Sequence, residues 1–417
     1  MKSGSGPDFP PADYTQRHMS SRLAIRFALA LLAAAALNAA AQDASLEELI
    51  ARAKKRDAEA EYMLGMRAYE GRGVPRDPSQ ALRLVERAAK RGQLEAQNTL
   101  GFFLQHGVGT APDPVRAREW YETAAARNQA RAQVNLGWMH EQGLGTDRSP
   151  KLAMEWYRKA AAQGLAEGEF NAAALLEAAA PPDFAGAAAG FERAAKKNFA
   201  PANYRLGRLL EEKRIPGAEY GDALARYQAA ARAGLPDGQF AAARLLLAGG
   251  GSRQALEAVD WLQQAARREY AQAQAFLADP ASQYRIALQI SSEPTGATQA
   301  LPWLRAAAEQ NYRDAQVRLG IALEEGRGTA RDAGAAASWY TEAAAAGDAE
   351  AKYRLAHFYD EGIGVPRDTV KARDLLGEAA ALGHERARER FDRLLGAGLP
   401  PLDGSDPFKA DPFKAIR

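Results

Sequence analysis

The stretch AQVNLGWMHEQGLGTDRSPKLAMEWYRKAAAQG, residues 132–164, decides the fold of this chain, because a shift of 36 residues lays it on the segment before it. Alanines, glycines and aromatic residues recur in register at this offset. The matching pairs include Ala96/Ala132, Leu100/Leu136, Gly101/Gly137, Gly107/Gly143, Gly109/Gly145, Ala117/Ala153, Trp120/Trp156, Tyr121/Tyr157, Ala124/Ala160 and Ala125/Ala161. A fixed period of this length indicates a repeat architecture, in which each unit packs on its neighbours.

Each repeat reads as two amphipathic helices joined by a turn. The first half carries small or apolar residues at Ala132, Leu136 and Met139, which is helical spacing. The second half continues the pattern at Ala153, Trp156, Tyr157, Ala160 and Ala161. The glycines in GLGTD, residues 143–147, supply the positive backbone angles that end one helix before the next begins. The sequence therefore predicts stacked helical hairpins.

Three motifs carry a family resemblance: A-x-x-x-L-G in the first helix, G-x-G in the loop and A-x-x-W-Y-x-x-A-A in the second helix. With a period of 36 residues, the pattern resembles Sel1-like repeats, which are relatives of tetratricopeptide repeats. The resemblance covers residues 60–395 and implies an interaction scaffold that needs no cofactor. It does not indicate which partner is bound.

The full pattern predicts an all-α fold, a right-handed solenoid of about nine such hairpins with capping helices at both ends. Asp279-Pro280 interrupts the seventh repeat, because proline cannot continue a helix there. The expected divisions are a capping helix at 42–59, repeats one to six at 60–272, an irregular seventh repeat with an insertion at 273–314, repeats eight and nine with a closing helix at 315–395, and a disordered tail at 396–417 that contains DPFKA twice.

Residues 1–41 predict an N-terminal extension and a secretory signal peptide. Arg22 and Arg26 precede the apolar run FALALLAAAAL at 27–37, and Ala39 to Ala41 offer a cleavage site. Met19 is the expected start. The run is shorter than the roughly 20 residues that cross a bilayer, so a membrane anchor is the weaker alternative. A periplasmic or secreted protein with no membrane span after signal cleavage is expected.

Composition argues against several classes of function. Lys and Arg number 54 against 52 Asp and Glu, and no basic run stands out, so no nucleic acid partner is expected. Cysteine is absent, which removes disulfides, thiol nucleophiles and cysteine zinc ligands. The histidines are scattered and the G-x-G loops lack a phosphate-binding context. We therefore predict no catalytic, cofactor-binding or metal-binding residues.

One tryptophan departs from the repeat pattern. Five of the six occupy the same second-helix position, whereas Trp138 lies on a first helix, where hairpins of this kind line a concave surface. Exposed tryptophan is a frequent interface anchor. The predicted partner-binding residues on this concave surface are Trp138, Asn135, Arg205, Arg208, Arg318 and Arg354.

The predicted function is thus an exported, non-catalytic scaffold that binds a protein or peptide of the cell envelope. The arginines would also suit an anionic envelope polysaccharide, which is one alternative. The other is an enzyme, a cell-wall hydrolase or a protein that interacts with β-lactams, because some cysteine-rich proteins of similar repeat pattern are linked to that activity. Their cysteines are missing here.

Overall fold

A computed structural model describes residues 45–215 and 220–396 of this chain, and over these ranges it consists of α-helices with a single 3-10 turn and no strand. The chain divides between Phe199 and Ala200 into two compact units, which are described separately. Consecutive helices pack against each other throughout each unit. The predicted all-α fold of stacked hairpins is confirmed.

The first unit consists of a capping helix followed by four hairpins. Each hairpin pairs a first helix with a second helix, and in hairpins one to three the second helix also packs on the first helix of the next hairpin. The helices are α1 (Leu46–Lys54), the cap, then α2 (Ala58–Glu70) with α3 (Pro78–Lys90), α4 (Leu94–His106) with α5 (Pro114–Ala126), α6 (Ala130–Gln142) with α7 (Pro150–Ala162), and α8 (Ala166–Glu177) with α9 (Phe184–Lys196). The Ser45 hydroxyl caps α1 by accepting the Glu48 backbone N–H at 3.1 Å.

The second unit has five hairpins, one short additional helix and a closing helix. Its described helices are α10 (Ala200–Glu211) with α11 (Tyr220–Arg232), α12 (Pro236–Gly249) with α13 (Ser252–Arg267), the short α14 (Ala271–Ala278), α15 (Pro280–Ile290) with α16 (Ala297–Glu309), α17 (Arg313–Glu325) with α18 (Ala333–Ala345), α19 (Ala349–Glu361) with α20 (Thr369–Ala381), and the closing α21 (Glu385–Gly396). With the four of the first unit, the described part of the chain contains nine hairpins, numbered here in chain order.

A glycine under a tyrosine holds the two helices of a hairpin together. Tyr157 is fully buried, and its ring covers Gly137, where an added Cβ would lie 2.7 Å from the ring carbon Cε1. Tyr121 covers Gly101 and Tyr340 covers Gly320 in the same way. The L-G and W-Y motifs are therefore two halves of one contact. The tryptophans beside these tyrosines are half-buried at the edge of the core.

The two glycines of each G-x-G loop have different structural roles. The first, such as Gly143 at φ +72°, ends the first helix in the left-handed region that glycine adopts without strain. The second contacts the preceding hairpin: a Cβ on Gly145 would lie under 3.0 Å from the carbonyl oxygen of Pro114, at the start of α5. Gly73, in the first hairpin, has no preceding second helix and nothing within 4 Å of its Cβ position.

The seventh hairpin departs from the pattern at Asp279. This residue ends α14, and its carboxylate also caps α15 by accepting the Ser282 backbone N–H at 2.8 Å. The helix that pairs with α16 is α15, and α14 is inserted between hairpins six and seven, in contact with both α13 and α15. The helix break expected at Asp279-Pro280 is present.

Two expectations fall on parts of the chain outside the described residues. The signal peptide proposed at 1–41 precedes residue 45, and the proposed disordered tail follows the end of α21, apart from Gly396 itself. Among the described helices, none combines the length and the apolar character needed to span a bilayer.

His140 occupies a core position that other repeats fill with leucine, for example Leu104 and Leu323. It is buried, and within the described residues its Nδ1 atom has no hydrogen-bond partner. Burial lowers the pKa of His140 below its ordinary value. The folded chain therefore favours the neutral imidazole of His140. The contribution of this group to the free energy of unfolding is fully present above about pH 6.5, and it is lost as the pH falls below that value.

We expect His140→Leu to stabilise the first unit by about 1 kcal/mol at pH 7.5, because the unpartnered polar atom is removed. The gain should increase at pH 5.5, where protonation of the unfolded chain no longer opposes folding of the variant. Melting temperatures of both proteins at the two pH values check this. A gain that is equal at both pH values would contradict the assigned titration.

Candidate partner-binding surface

The first-helix surface is defined here as the side chains three and six positions after the small residue that opens each first helix. On α6 these are Asn135 and Trp138. Trp138 is 37% exposed, whereas Met66 and Phe102, at the same position of hairpins one and two, are 5% and 4% exposed. The indole is thus the large apolar group that this surface offers to solvent in hairpins one to three.

Asn135 is held by the preceding hairpin. Its amide Nδ2 donates to the Oδ1 atom of buried Asn98 on α4 at 2.9 Å. One hairpin earlier, the hydroxyls of Tyr62 and Thr99 form the equivalent bond between first helices at 3.3 Å. Asn135 is therefore fixed in place beside Trp138, with part of its side chain still accessible.

The four arginines of the predicted site all lie in the second unit, and their environments differ. Arg318 on α17 is exposed, whereas Arg205 on α10 is half-buried. Arg208, also on α10, forms an ion pair of 2.8 Å with Glu212. The structure therefore places these arginines on three first helices, α10, α17 and α19, and pairs Arg208 with a carboxylate four residues further along the chain.

Arg354 forms ion pairs with two carboxylates. Its Nη1 atom is 3.1 Å from the Glu324 carboxylate, and its Nε atom is 2.5 Å from that of Glu350. Burial opposes its charge, but the neighbouring Tyr340 and the two carboxylates raise its pKa above the ordinary value. Its side chain is 12% exposed, so Arg354 joins hairpins eight and nine more than it faces solvent.

A buried tyrosine donates a hydrogen bond to a polar residue at the end of the first helix in four hairpins. The hydroxyl–acceptor distances are 3.0 Å for Tyr121 to Gln105, 2.7 Å for Tyr157 to Glu141, 2.7 Å for Tyr227 to Glu211, and 2.5 Å for Tyr340 to Glu324. The sequence-based prediction missed these acceptors. Three of them stand two residues before a loop glycine, which is the signal that could have identified them.

Because of these tyrosines, the free energy of unfolding is expected to change with pH in the alkaline range. Burial, with the adjacent carboxylate, raises the pKa of Tyr157, Tyr227 and Tyr340 well above the ordinary value. An unfolded tyrosine ionises near pH 10, so the stabilisation is complete below that pH and is lost as the pH rises above it. We expect the free energy of unfolding to fall by about 1.4 kcal/mol per pH unit for each such tyrosine.

Urea unfolding between pH 8 and pH 11, followed by circular dichroism, checks this slope. Tyr157→Phe should reduce this slope by the contribution of one tyrosine, about 1.4 kcal/mol per pH unit, because a phenyl ring cannot ionise. Unfolding free energies that stay constant up to pH 11 would show that the phenols are not protected as described.

Neighbouring hairpins are also joined where their first helices begin. The side chain of the residue that caps a first helix, or the closing helix α21, reaches the acid just before the opening alanine of the previous first helix. The contacts are 2.8 Å from Gln93 Nε2 to Glu59, 3.1 Å from Gln129 Nε2 to Glu95, and 2.9 Å from His384 Nε2 to Glu350. These junction pairs were not predicted, because they join residues 34 positions apart.

Within 45–215 and 220–396, no group of three or more His, Asp or Glu side chains is arranged as a metal site. The polar contacts described above connect helices to each other. The exposed side chains of the first-helix surface are Trp138 and Arg318, and tryptophan and arginine are residue types that are frequent at protein interfaces.

Comparison with known proteins gives the following matches. Seven segments match the family model described as Sel1 repeat: residues 58–93, 94–129, 130–165, 236–270, 280–312, 313–348 and 349–384. No curated protein matches the chain.

Among solved structures, the chain is similar to a protective antigen of uropathogenic Escherichia coli strains that displays an SLR fold, with 26% identity, 85% of this chain and 83% of that chain covered, and a TM-score of 0.35. It is similar to a Sel1 repeat protein from Oxalobacter formigenes, with 26% identity, coverage of 84% and 90%, and a TM-score of 0.36. It is also similar to an immunity protein from Pseudomonas aeruginosa, with 21% identity, coverage of 52% and 82%, and a TM-score of 0.36.

Proposed function

Since the chain belongs to the Sel1 repeat family, we propose that it is an exported, non-catalytic scaffold of the cell envelope that holds a protein partner on its first-helix surface. Repeats of this family act in general as scaffolds for protein–protein interaction. A preformed stack of hairpins presents spaced side chains with little ordering cost when a partner binds. Export is supported by the signal sequence proposed at 1–41.

The observation that carries the proposal is the exposure of Trp138. The first two hairpins bury their apolar side chain at this position, whereas Trp138 in the third hairpin is 37% exposed. Tryptophan contributes a large apolar area to an interface at a low cost in side-chain entropy. Asn135 lies one helical turn away and offers an amide that is already oriented by Asn98.

The arginines contribute to the proposed surface unequally. Arg318 is the exposed one and is proposed to contact the partner directly. Arg205, Arg208 and Arg354 are half-buried, and Arg208 and Arg354 are paired with carboxylates. We therefore place the principal anchor at Trp138 in the first unit and propose Arg318 as a separate contact on the second unit.

Affinity capture from an envelope extract tests the proposal. The native chain should retain a partner that Trp138→Ala loses, with a reduction in affinity of tenfold or more, since truncating a hot-spot residue costs about 2 kcal/mol. The matched control is Leu152→Ala, because Leu152 lies in the same hairpin, on the second helix, and is 40% exposed.

Three results would count against this assignment. Equal capture by the native chain and Trp138→Ala would remove the anchor from α6. Loss of capture by Leu152→Ala would move the site to the second helices. A chain recovered from the cytoplasm with residues 1–41 still attached would contradict export.

A further inference from the structure

The three glutamates that accept a buried tyrosine hydroxyl at the end of a first helix, Glu141, Glu211 and Glu324, fall into two groups. In the second unit, Glu211 and Glu324 each receive an arginine from a later first helix as well as the tyrosine. Arg244 forms an ion pair with Glu211, and Arg354 lies 3.1 Å from Glu324. At both places the tyrosine, the carboxylate and the guanidinium form a continuous polar contact between consecutive hairpins.

Glu141 occupies the same structural position in the third hairpin but lacks the arginine. It accepts the Tyr157 hydroxyl at 2.7 Å. In the next hairpin, the positions equivalent to Arg354 and Arg244 hold Asn171 and Ala174, which carry no charge.

The charge of Glu141 is therefore not neutralised by a neighbouring side chain. Over the part of the chain that the structure describes, its carboxylate forms no ion pair. Arg148 is nearby, but its Nε atom donates at 3.0 Å to the backbone carbonyl of Glu141 and not to the carboxylate.

Trp138 lies three residues before Glu141 on α6, and residues three apart are neighbours on a helix surface. Side chains at this spacing lie on one face of the helix, so the indole and the carboxylate are neighbours on α6. A planar aromatic ring beside an unpaired carboxylate suits a guanidinium group, which stacks on the ring and donates paired hydrogen bonds to the carboxylate.

We propose that Trp138 and Glu141 together bind an arginine side chain of the partner protein, which takes the place that Arg354 takes on Glu324. This inference rests on the proposed function, because it names the chemistry of the partner at the same surface. In the second unit, Glu211 and Glu324 are each paired with an arginine of the same chain, whereas Glu141 in the third hairpin is left for a side chain that the partner supplies.

Selection from a displayed library of random twelve-residue peptides on the purified full chain tests the pairing. We expect the selected peptides to be enriched in arginine, and replacement of that arginine by alanine to weaken binding about tenfold or more. Glu141→Gln should cause a loss of the same size. This variant keeps the fold, because Gln105 already accepts the Tyr121 hydroxyl at the equivalent position. Glu155→Gln, at an exposed glutamate on α7, is the matched control and should bind as the native chain does.

The outcomes separate this inference from the proposed function. If Trp138→Ala abolishes binding while Glu141→Gln and the peptide's arginine have no effect, the surface is an interface but the arginine site is wrong. Enrichment of acidic or purely apolar peptides, or failure to select any peptide, also overturns the arginine site. If neither Trp138→Ala nor Glu141→Gln changes capture of the envelope partner, both proposals fail.

Discussion

Replacement of Gly145 by alanine is expected to destabilise the first unit by about 3 kcal/mol or more. Gly145 has a φ of +64°, which costs an L-residue about 1 kcal/mol. The added Cβ would also meet the backbone of the preceding hairpin at Pro114, less than 3.0 Å away. Backbone cannot move aside as a flexible side chain can, so the two hairpins must separate or the loop must distort.

Gly73→Ala is the matched control. Gly73 holds the same place in the first loop with a φ of +72°, and nothing lies within 4 Å of its Cβ position. It should cost only the backbone strain of about 1 kcal/mol. Urea unfolding measures the difference, and hydrogen exchange of the α5 amides locates it. Equal losses for the two variants would show that the contact between Gly145 and α5 contributes nothing.

The second large effect is expected at Tyr157. Tyr157→Ala should cost about 4 kcal/mol, because it empties a fully buried position above Gly137 and leaves Glu141 without its donor. Tyr157→Phe keeps the ring and removes only the hydroxyl, at a cost of about 1 kcal/mol.

The comparison of the two variants separates packing from hydrogen bonding. Thermal unfolding at pH 7 should place the phenylalanine variant close to the native protein and the alanine variant far below it. A phenylalanine variant as unstable as the alanine variant would mean that the bond to Glu141 stabilises the hairpin more than the contact with Gly137 does.

The fold was predictable because its determinants repeat in the sequence. The glycine of L-G and the tyrosine of W-Y recur at fixed spacing, and the structure brings them into one contact in hairpins two, three and eight, as Gly137 and Tyr157 show. The break at Asp279-Pro280 was predictable from a single proline. The resemblance to Sel1-like repeats is confirmed by the matching segments.

The environment of the candidate site was less predictable, because it depends on which residues of two successive hairpins meet. Arg354 and Arg318 occupy the same repeat position, yet Arg354 pairs with Glu324 and Glu350 while Arg318 is exposed. No local pattern distinguishes them. Glu141 was missed for a related reason: its importance comes from the absence of an arginine in the next hairpin, at Asn171 and Ala174.

The junction pairs have a consequence for the order in which the chain folds. Gln93 reaches Glu59, and Gln129 reaches Glu95. The two residues of each junction pair are therefore separated by about one repeat in the sequence, and they are synthesised shortly after one another. A hairpin that leaves the ribosome therefore finds its stabilising neighbour as soon as the next hairpin has emerged. The first unit can then be completed from its N-terminal end, one hairpin at a time, while the rest of the chain is still being delivered.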